Sequence, residues 1–156
     1  MRKIAFENIA IRVTEACMAA NFELGDDVVA AFKQAKEQEE SPVGREILAQ
    51  LLENATIAQK EKIALCQDTG FAVFFVDLGD EVTVEGGNLV DAINEGVRRG
   101  YQDGYLRKSI CHPFSRKNTG DNTPAIVHLN LVPGDQLKIT IAPKGGGSEN
   151  MSRVTM

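Results

Sequence analysis

The chain has 156 residues, of which 43% are hydrophobic and 25% charged, an ordinary globular balance with enough apolar material for one domain and its core. A net charge of −5 at pH 7 argues against a nucleic-acid or anionic-membrane partner, although a few placed cations can still hold an anionic substrate. No apolar run approaches the roughly 18–20 residues of a spanning helix, and the opening Met1-Arg2-Lys3-Ile4 lacks the apolar stretch of a signal peptide, so no membrane role and a cytoplasmic location are expected.

In chain order, Ile9, Val13, Ala16, Cys17 and Ala20 make one apolar helical stripe that Asn21 and Gly25 interrupt. Asp26 and Asp27 suit the N-terminus of a second helix carrying Val28, Val29, Phe32 and Ala35, which closes on the polar run Lys36 to Glu40. Ser41-Pro42 starts a third, with Ser as cap and Pro in the first turn, followed by Ile47, Leu48, Leu51, Leu52 and Ala55. After Glu61 the period changes. Phe71 to Leu78 is a dense β-forming run, Gly79-Asp80 a turn, and Val82-Thr83-Val84 a short strand ending at Gly86-Gly87. Asn88 can cap a fourth helix with Leu89, Val90, Ile93, Val97 and Tyr101. The polar stretch from Gly104 to Pro124 lacks periodicity, and a long structureless loop inside a domain is commonly functional or disordered. Val127, Leu129 and Leu131, then Leu137, Ile139 and Ile141, alternate on either side of Pro133-Gly134-Asp135 and predict a hairpin. The expected class is α+β: a helical amino-terminal half packed beside a small, mainly antiparallel sheet, forming a single domain over residues 1–156.

Three cysteines, Cys17, Cys66 and Cys111, form no disulfide framework and no CxxC pair. Cys17 lies on a helix stripe and reads as core; Cys111 beside His112, and His128 on the polar face of a strand, are assigned no chemistry. Cys66-Gln67-Asp68-Thr69-Gly70 sets a thiol, an amide and a carboxylate together between two apolar segments, which suits either iron ligation with proton transfer or a buried cysteine before an Asp-Thr-Gly turn. Lys144-Gly145-Gly146-Gly147-Ser148 can bring backbone N–H groups close to an anion or be a simple turn. It matches neither a Walker loop nor a dinucleotide fingerprint, which excludes nucleotide binding. Arg107, Lys108, His112, Arg116 and Lys117, followed by Asn118-Thr119-Gly120-Asp121-Asn122-Thr123-Pro124, concentrate cations and short polar donors of the kind that hold dicarboxylates, or line a solvated loop.

Together, Cys17-Met18-Ala19-Ala20-Asn21, Ala64 to Gly70, Leu106-Arg107-Lys108-Ser109, Asn118 to Pro124 and Pro143 to Ser152, in this order and over essentially the whole chain, resemble the α region of class I, iron–sulfur-dependent fumarate hydratases and L-tartrate dehydratases. The resemblance implies a hydro-lyase that interconverts malate and fumarate in the tricarboxylic acid cycle, or acts on tartrate. It implies a [4Fe–4S] cluster held by three cysteines, with Cys66 as the first and two further ligands absent from this chain. Asp68 is then the proton carrier. Gln67, Asp68, Arg107 and Gly146 bind the dicarboxylate, and a β subunit or β region completes the site in a homo- or hetero-oligomer. The chain is read as a truncated amino-terminal part of the α subunit, inactive alone. A folding or docking module without a cluster is the alternative for the isolated polypeptide.

Overall fold

The computed structural model describes residues 1–147 and 153–155, so Ser148 to Ser152 of the glycine-rich motif lie outside the described residues. The elements are β1 (Arg2–Ala5), α1 (Phe6–Phe22), α2 (Asp26–Gln38), α3 (Pro42–Glu61), β2 (Phe71–Gly79), β3 (Val82–Glu85), α4 (Leu89–Asp103), β4 (Ile126–Val132) and β5 (Leu137–Lys144). The mixed α+β class expected from the sequence holds. The helix limits follow local chemistry: Ser41 Oγ accepts from Gly44 N (3.3 Å) at the start of α3, and Asn88 Oδ1 accepts from Asp91 N (2.8 Å) at the start of α4. Strand β1 was not legible, because four residues carry little pattern and their partner, β3, lies far along the chain in a parallel pair (Arg2 opposite Val82, Ala5 opposite Glu85).

The predicted hairpin does not form. Strand β2 lies between β4 and β5, parallel to the first (Phe74 opposite Val127) and antiparallel to the second (Phe74 opposite Ile141). The turn between β4 and β5 instead crosses the end of β2, where Gly79 N donates to Gln136 O (2.8 Å), Asp80 N to Val132 O (2.9 Å) and Glu81 N to Gly134 O (3.0 Å). Alternation marks the inward face of β5, where Leu137, Ile139 and Ile141 pack against the core, but in β4 only Val127 does so while Leu129 and Leu131 stay exposed, and it cannot say which strand each one pairs with. The most apolar strand, with Ala72, Phe74 and Val76 buried, gains most from two neighbours and takes the middle.

Helices α1 and α4 cover the inner face of this sheet. Ile9, Val13 and Cys17 of α1 meet Ile93, Val97 and Tyr101 of α4 and Phe74 and Val76 of β2 in one core. At roughly 1.5–3 kcal/mol for each large apolar side chain buried, this cluster is the main source of stability. The two helices approach closely because α4 offers Gly96 and Gly100 to α1: a Cβ on Gly96 would lie 2.4 Å from Val13 Cβ, and one on Gly100 2.8 Å from Cys17 Cβ. At the rim, Arg99 of α4 bridges Glu7 (2.5 Å) and Glu95 (2.7 Å), and its hydrogen bonds hold both carboxyls below their usual values. Helices α2 and α3 pack mainly on each other. No residue of α2 is buried, α3 buries only Ala55 and Ala58, and Val43, Ile47 and Leu51 stay exposed.

Candidate active site

One end of the three-stranded sheet gathers four pieces of chain: the Cys66–Gly70 turn entering β2, the segment leaving α4, the start of β4 and the end of β5. The turn is fixed from both sides. Before it, Leu65 N donates to Asn21 O (2.9 Å), and Asn54 Nδ2 donates to Leu65 O (3.0 Å), which ties the approach to α1 and α3. After it, the buried Tyr101 hydroxyl donates to Thr69 O (3.0 Å) and Gly70 O (3.3 Å), and burial pushes that phenol above its usual pKa. Gly70 has φ +65°, and a Cβ there would stand 2.1 Å from Lys144 O, so only glycine lets β5 pass so close to the turn.

Cys66 is exposed. Its thiol donates to Gln67 Oε1 (3.4 Å), and its sulfur accepts from Asp68 N (3.5 Å). Among the described residues the neighbouring carboxylate is held by backbone: Asp68 Oδ1 accepts from Gly70 N (3.2 Å) and Oδ2 from Gly146 N (3.0 Å). Two of its lone pairs are therefore oriented while the group stays partly open to solvent, a suitable arrangement for a carboxylate that must exchange a proton. Gly146 thus comes beside Asp68, with its N–H directed at that residue.

Arg107 is exposed, and its guanidinium forms no ion pair with a described residue. Its backbone is bonded directly to the turn, since Thr69 Oγ1 donates to Arg107 O (3.0 Å). Hence Cys66, Gln67, Asp68, Arg107 and Gly146 all belong to segments converging on one place. The rest of the cationic loop does not converge. Residues 110–119 form a small separate excursion closed by His112 N to Lys117 O (2.8 Å) and Thr119 N to Ile110 O (2.9 Å), carrying Cys111, His112, Arg116 and Lys117 on its surface. His128 is exposed on the outer sheet face, stacked on Phe75 with ring centroids 5.0 Å apart.

Two residues that the sequence reading placed in its motifs without singling out prove central here. Asn122 is fully buried and joins three segments: its Oδ1 accepts from Ser109 N (2.6 Å) and Ile110 N (3.2 Å), while Nδ2 donates to Gly70 O (3.1 Å). Thr69, 4% exposed, makes the bond to Arg107. Both sit in polar stretches whose composition says nothing of burial, so no sequence signal separates them from solvated neighbours.

The three thiols differ sharply. Cys17 is completely buried, and burial pushes its pKa up to about 12, whereas Cys66 and Cys111 are exposed. At about pH 8 iodoacetamide is expected to modify Cys66 and Cys111 in the native, cluster-free protein and to spare Cys17 until the chain is unfolded in urea. Peptide mass mapping would show this, and native labelling of Cys17 at the rate of the other two would contradict the packing of α1 on α4. No group of three or more His, Cys, Asp or Glu among the described residues could hold a metal ion, and the two exposed thiols, Cys66 and Cys111, belong to separate segments.

Residues 11–156 match the family model described as fumarate hydratase (fumerase). The chain is 33% identical over 150 residues to a protein from Methanocaldococcus jannaschii named putative L(+)-tartrate dehydratase subunit alpha, covering 92% of this chain and 53% of that one. It is 36% identical over 118 residues to the aerobic class I fumarate hydratase of Escherichia coli, covering 74% of this chain and 21% of that one. It is 38% identical over 109 residues to the mitochondrial fumarate hydratase 1 of Leishmania major, covering 68% and 20% respectively. The chain therefore spans about half the length of the first of these relatives and a fifth of the other two. With nearly its whole length matched, the chain belongs to the fumarate hydratase (fumerase) family.

Proposed function

We propose that residues 1–156 are the amino-terminal part of the α region of an iron–sulfur hydro-lyase that reversibly adds water to fumarate, giving malate, with a β subunit or β region completing the site. The observation that carries this reading is the Asp68 carboxylate, held by two backbone N–H groups beside the exposed Cys66 and on the segment bonded to that of Arg107. Cys66 would be one of the cysteines holding a [4Fe–4S] cluster; the described residues contain no full ligand set, so the remaining ligands must come from outside them. When bound, the cluster supplies a Lewis acid for the substrate's oxygen atoms.

The chain's own residues then divide the remaining work. Hydration places hydroxide on one alkene carbon and a proton on its neighbour; dehydration removes both. Asp68 gives the proton in one direction and receives it in the other, a role that requires a carboxylate within reach of carbon but held against rotation. Gln67 offers an amide to the substrate's oxygen atoms. Arg107 can grip the far carboxylate with two parallel N–H bonds, which fixes orientation as well as charge. Gly146 contributes through its N–H, which in this structure orients Asp68.

The assay that tests the reading uses the full-length protein with its β partner, reconstituted anaerobically with iron and sulfide and supplied with fumarate, malate and L-tartrate in turn. Turnover of fumarate and malate is expected, and an inactive but correctly assembled enzyme would end the proposal. A tartrate dehydratase is the second reading, favoured by the relative that matches 92% of this chain, whose name gives that activity. Preference for tartrate in the same assay would decide for it.

A further inference from the structure

Beyond the residues assigned to substrate and cluster, the structure points to a residue that controls the distance between them. The Cys66–Gly70 turn has several supports independent of Asn122: Leu65 on Asn21 and Asn54, Tyr101 on Thr69 and Gly70, and Gly146 on Asp68. The stretch that bears Arg107 follows Leu106, which is buried in the core, and beyond that residue has fewer supports of its own. Leu106 N donates to Tyr101 O (3.0 Å) ahead of it, Thr69 Oγ1 reaches Arg107 O, and Asn118 Nδ2 reaches Lys108 O (2.8 Å). The amides just past it, Ser109 N and Ile110 N, both end on Asn122 Oδ1, and the same side chain donates to Gly70 O. Asn122 has φ +62°, a conformation that Asn and Asp tolerate better than other non-glycine residues, and its side chain is fully buried. Its amide therefore spans the gap from the Arg107 stretch to the turn that carries Cys66 and Asp68, accepting on one side and donating on the other.

We propose that Asn122 is the positioning residue that sets Arg107 against the Cys66–Asp68 turn; this rests on the substrate role given to Arg107 above. Removing the bridge leaves the better supported turn in place and lets the Arg107 stretch drift. Binding of the distal carboxylate weakens while the proton-transfer geometry at Asp68 changes less. The signature is a larger effect on KM than on kcat.

The test is a double-mutant cycle in the full-length enzyme with its β partner, assayed on fumarate. Asn122→Ala is expected to raise KM about tenfold, as for a buried polar link broken with two amides left unpaired, and to change kcat by less. In the Arg107→Ala background the same substitution is expected to raise KM less than about twofold, because residues acting through one contact are not additive. Equal effects in the two backgrounds would reduce Asn122 to a general stabiliser and overturn the proposal. Asn122→Asp suits the backbone and keeps Oδ1 as the acceptor for both Ser109 N and Ile110 N, while a second oxygen replaces the amide donor to Gly70 O. It is carried through the same cycle as a variant that preserves the fold, with an expected KM rise of about threefold that vanishes in the Arg107→Ala background.

Hydrogen exchange on the cluster-free, full-length protein separates this inference from the hydratase reading. Asn122→Ala should speed exchange in peptides spanning 105–112 and leave those of 71–79 unchanged. An enzyme with no activity on any of the dicarboxylates would defeat the proposed function, and the exchange experiment would then decide alone whether Asn122 ties the two segments. Unaltered exchange at 105–112 would show that it does not.

Discussion

Replacing Asp68 by Asn in the complete enzyme should lower kcat by about 10²–10⁴, the usual contribution of one positioned acid–base group, with a much smaller change in KM. The substitution is nearly isosteric, and Asn still offers one oxygen to either of the two N–H groups, Gly70 and Gly146, that now hold the carboxylate. Its Nδ2 cannot accept from the other, so the turn relaxes slightly, but the dominant loss expected is of the group proposed to take and return the proton. Exchange of solvent deuterium into malate should fall in parallel with turnover, since both require the same transfer. A kcat within tenfold of the parent enzyme, with deuterium still entering malate, would mean that another residue carries the proton.

Cys66→Ser tests the other half of the site and should abolish turnover together with the brown colour and bound iron of the reconstituted enzyme. A serine hydroxyl is a harder, normally protonated group and a poor substitute for thiolate on an iron–sulfur cluster. The fold should survive, because Cys66 is exposed and among the described residues its sulfur makes two long hydrogen bonds, 3.4 Å and 3.5 Å. Exposed substitutions of this kind usually change stability by within about 0.5 kcal/mol, so thermal unfolding of the cluster-free proteins should nearly coincide. Iron content, colour and rate that all match the parent would show that this thiol does not ligate. A large fall in the stability of the cluster-free protein would show instead that Cys66 is structural. The contrast with Cys17 is instructive: an identical side chain, fully buried with its pKa pushed up to about 12, serves only as packing between α1 and α4.

The α2–α3 pair shows how far sequence patterning reached and where it stopped. Gly25, Ser41-Pro42 and Asn88 fix helix ends through contacts within a few residues, so the starts of α2, α3 and α4 were readable directly. The apolar stripe of α3 was equally plain, yet its Ile47 and Leu51 remain exposed, because periodicity reports a face without reporting what covers it. The same gap explains the sheet. Alternation in β4 and β5, with a Pro-Gly-Asp turn between them, satisfied every local condition for a hairpin, and both strands pair with β2 instead.

Local chain chemistry was enough for the starts of α2, α3 and α4, the β-forming run of β2 and the order of the chemical groups from Cys66 to Gly146, since each rests on neighbours in the chain. Only the tertiary structure decided that β2 is central, that β1 exists, that Asn122 is buried and that the Gly146 N–H is directed to Asp68. The physical reason is common to all four. Strand partners, burial and hydrogen-bond acceptors are set by groups tens of residues away, whose competing offers are weighed only when the whole core closes.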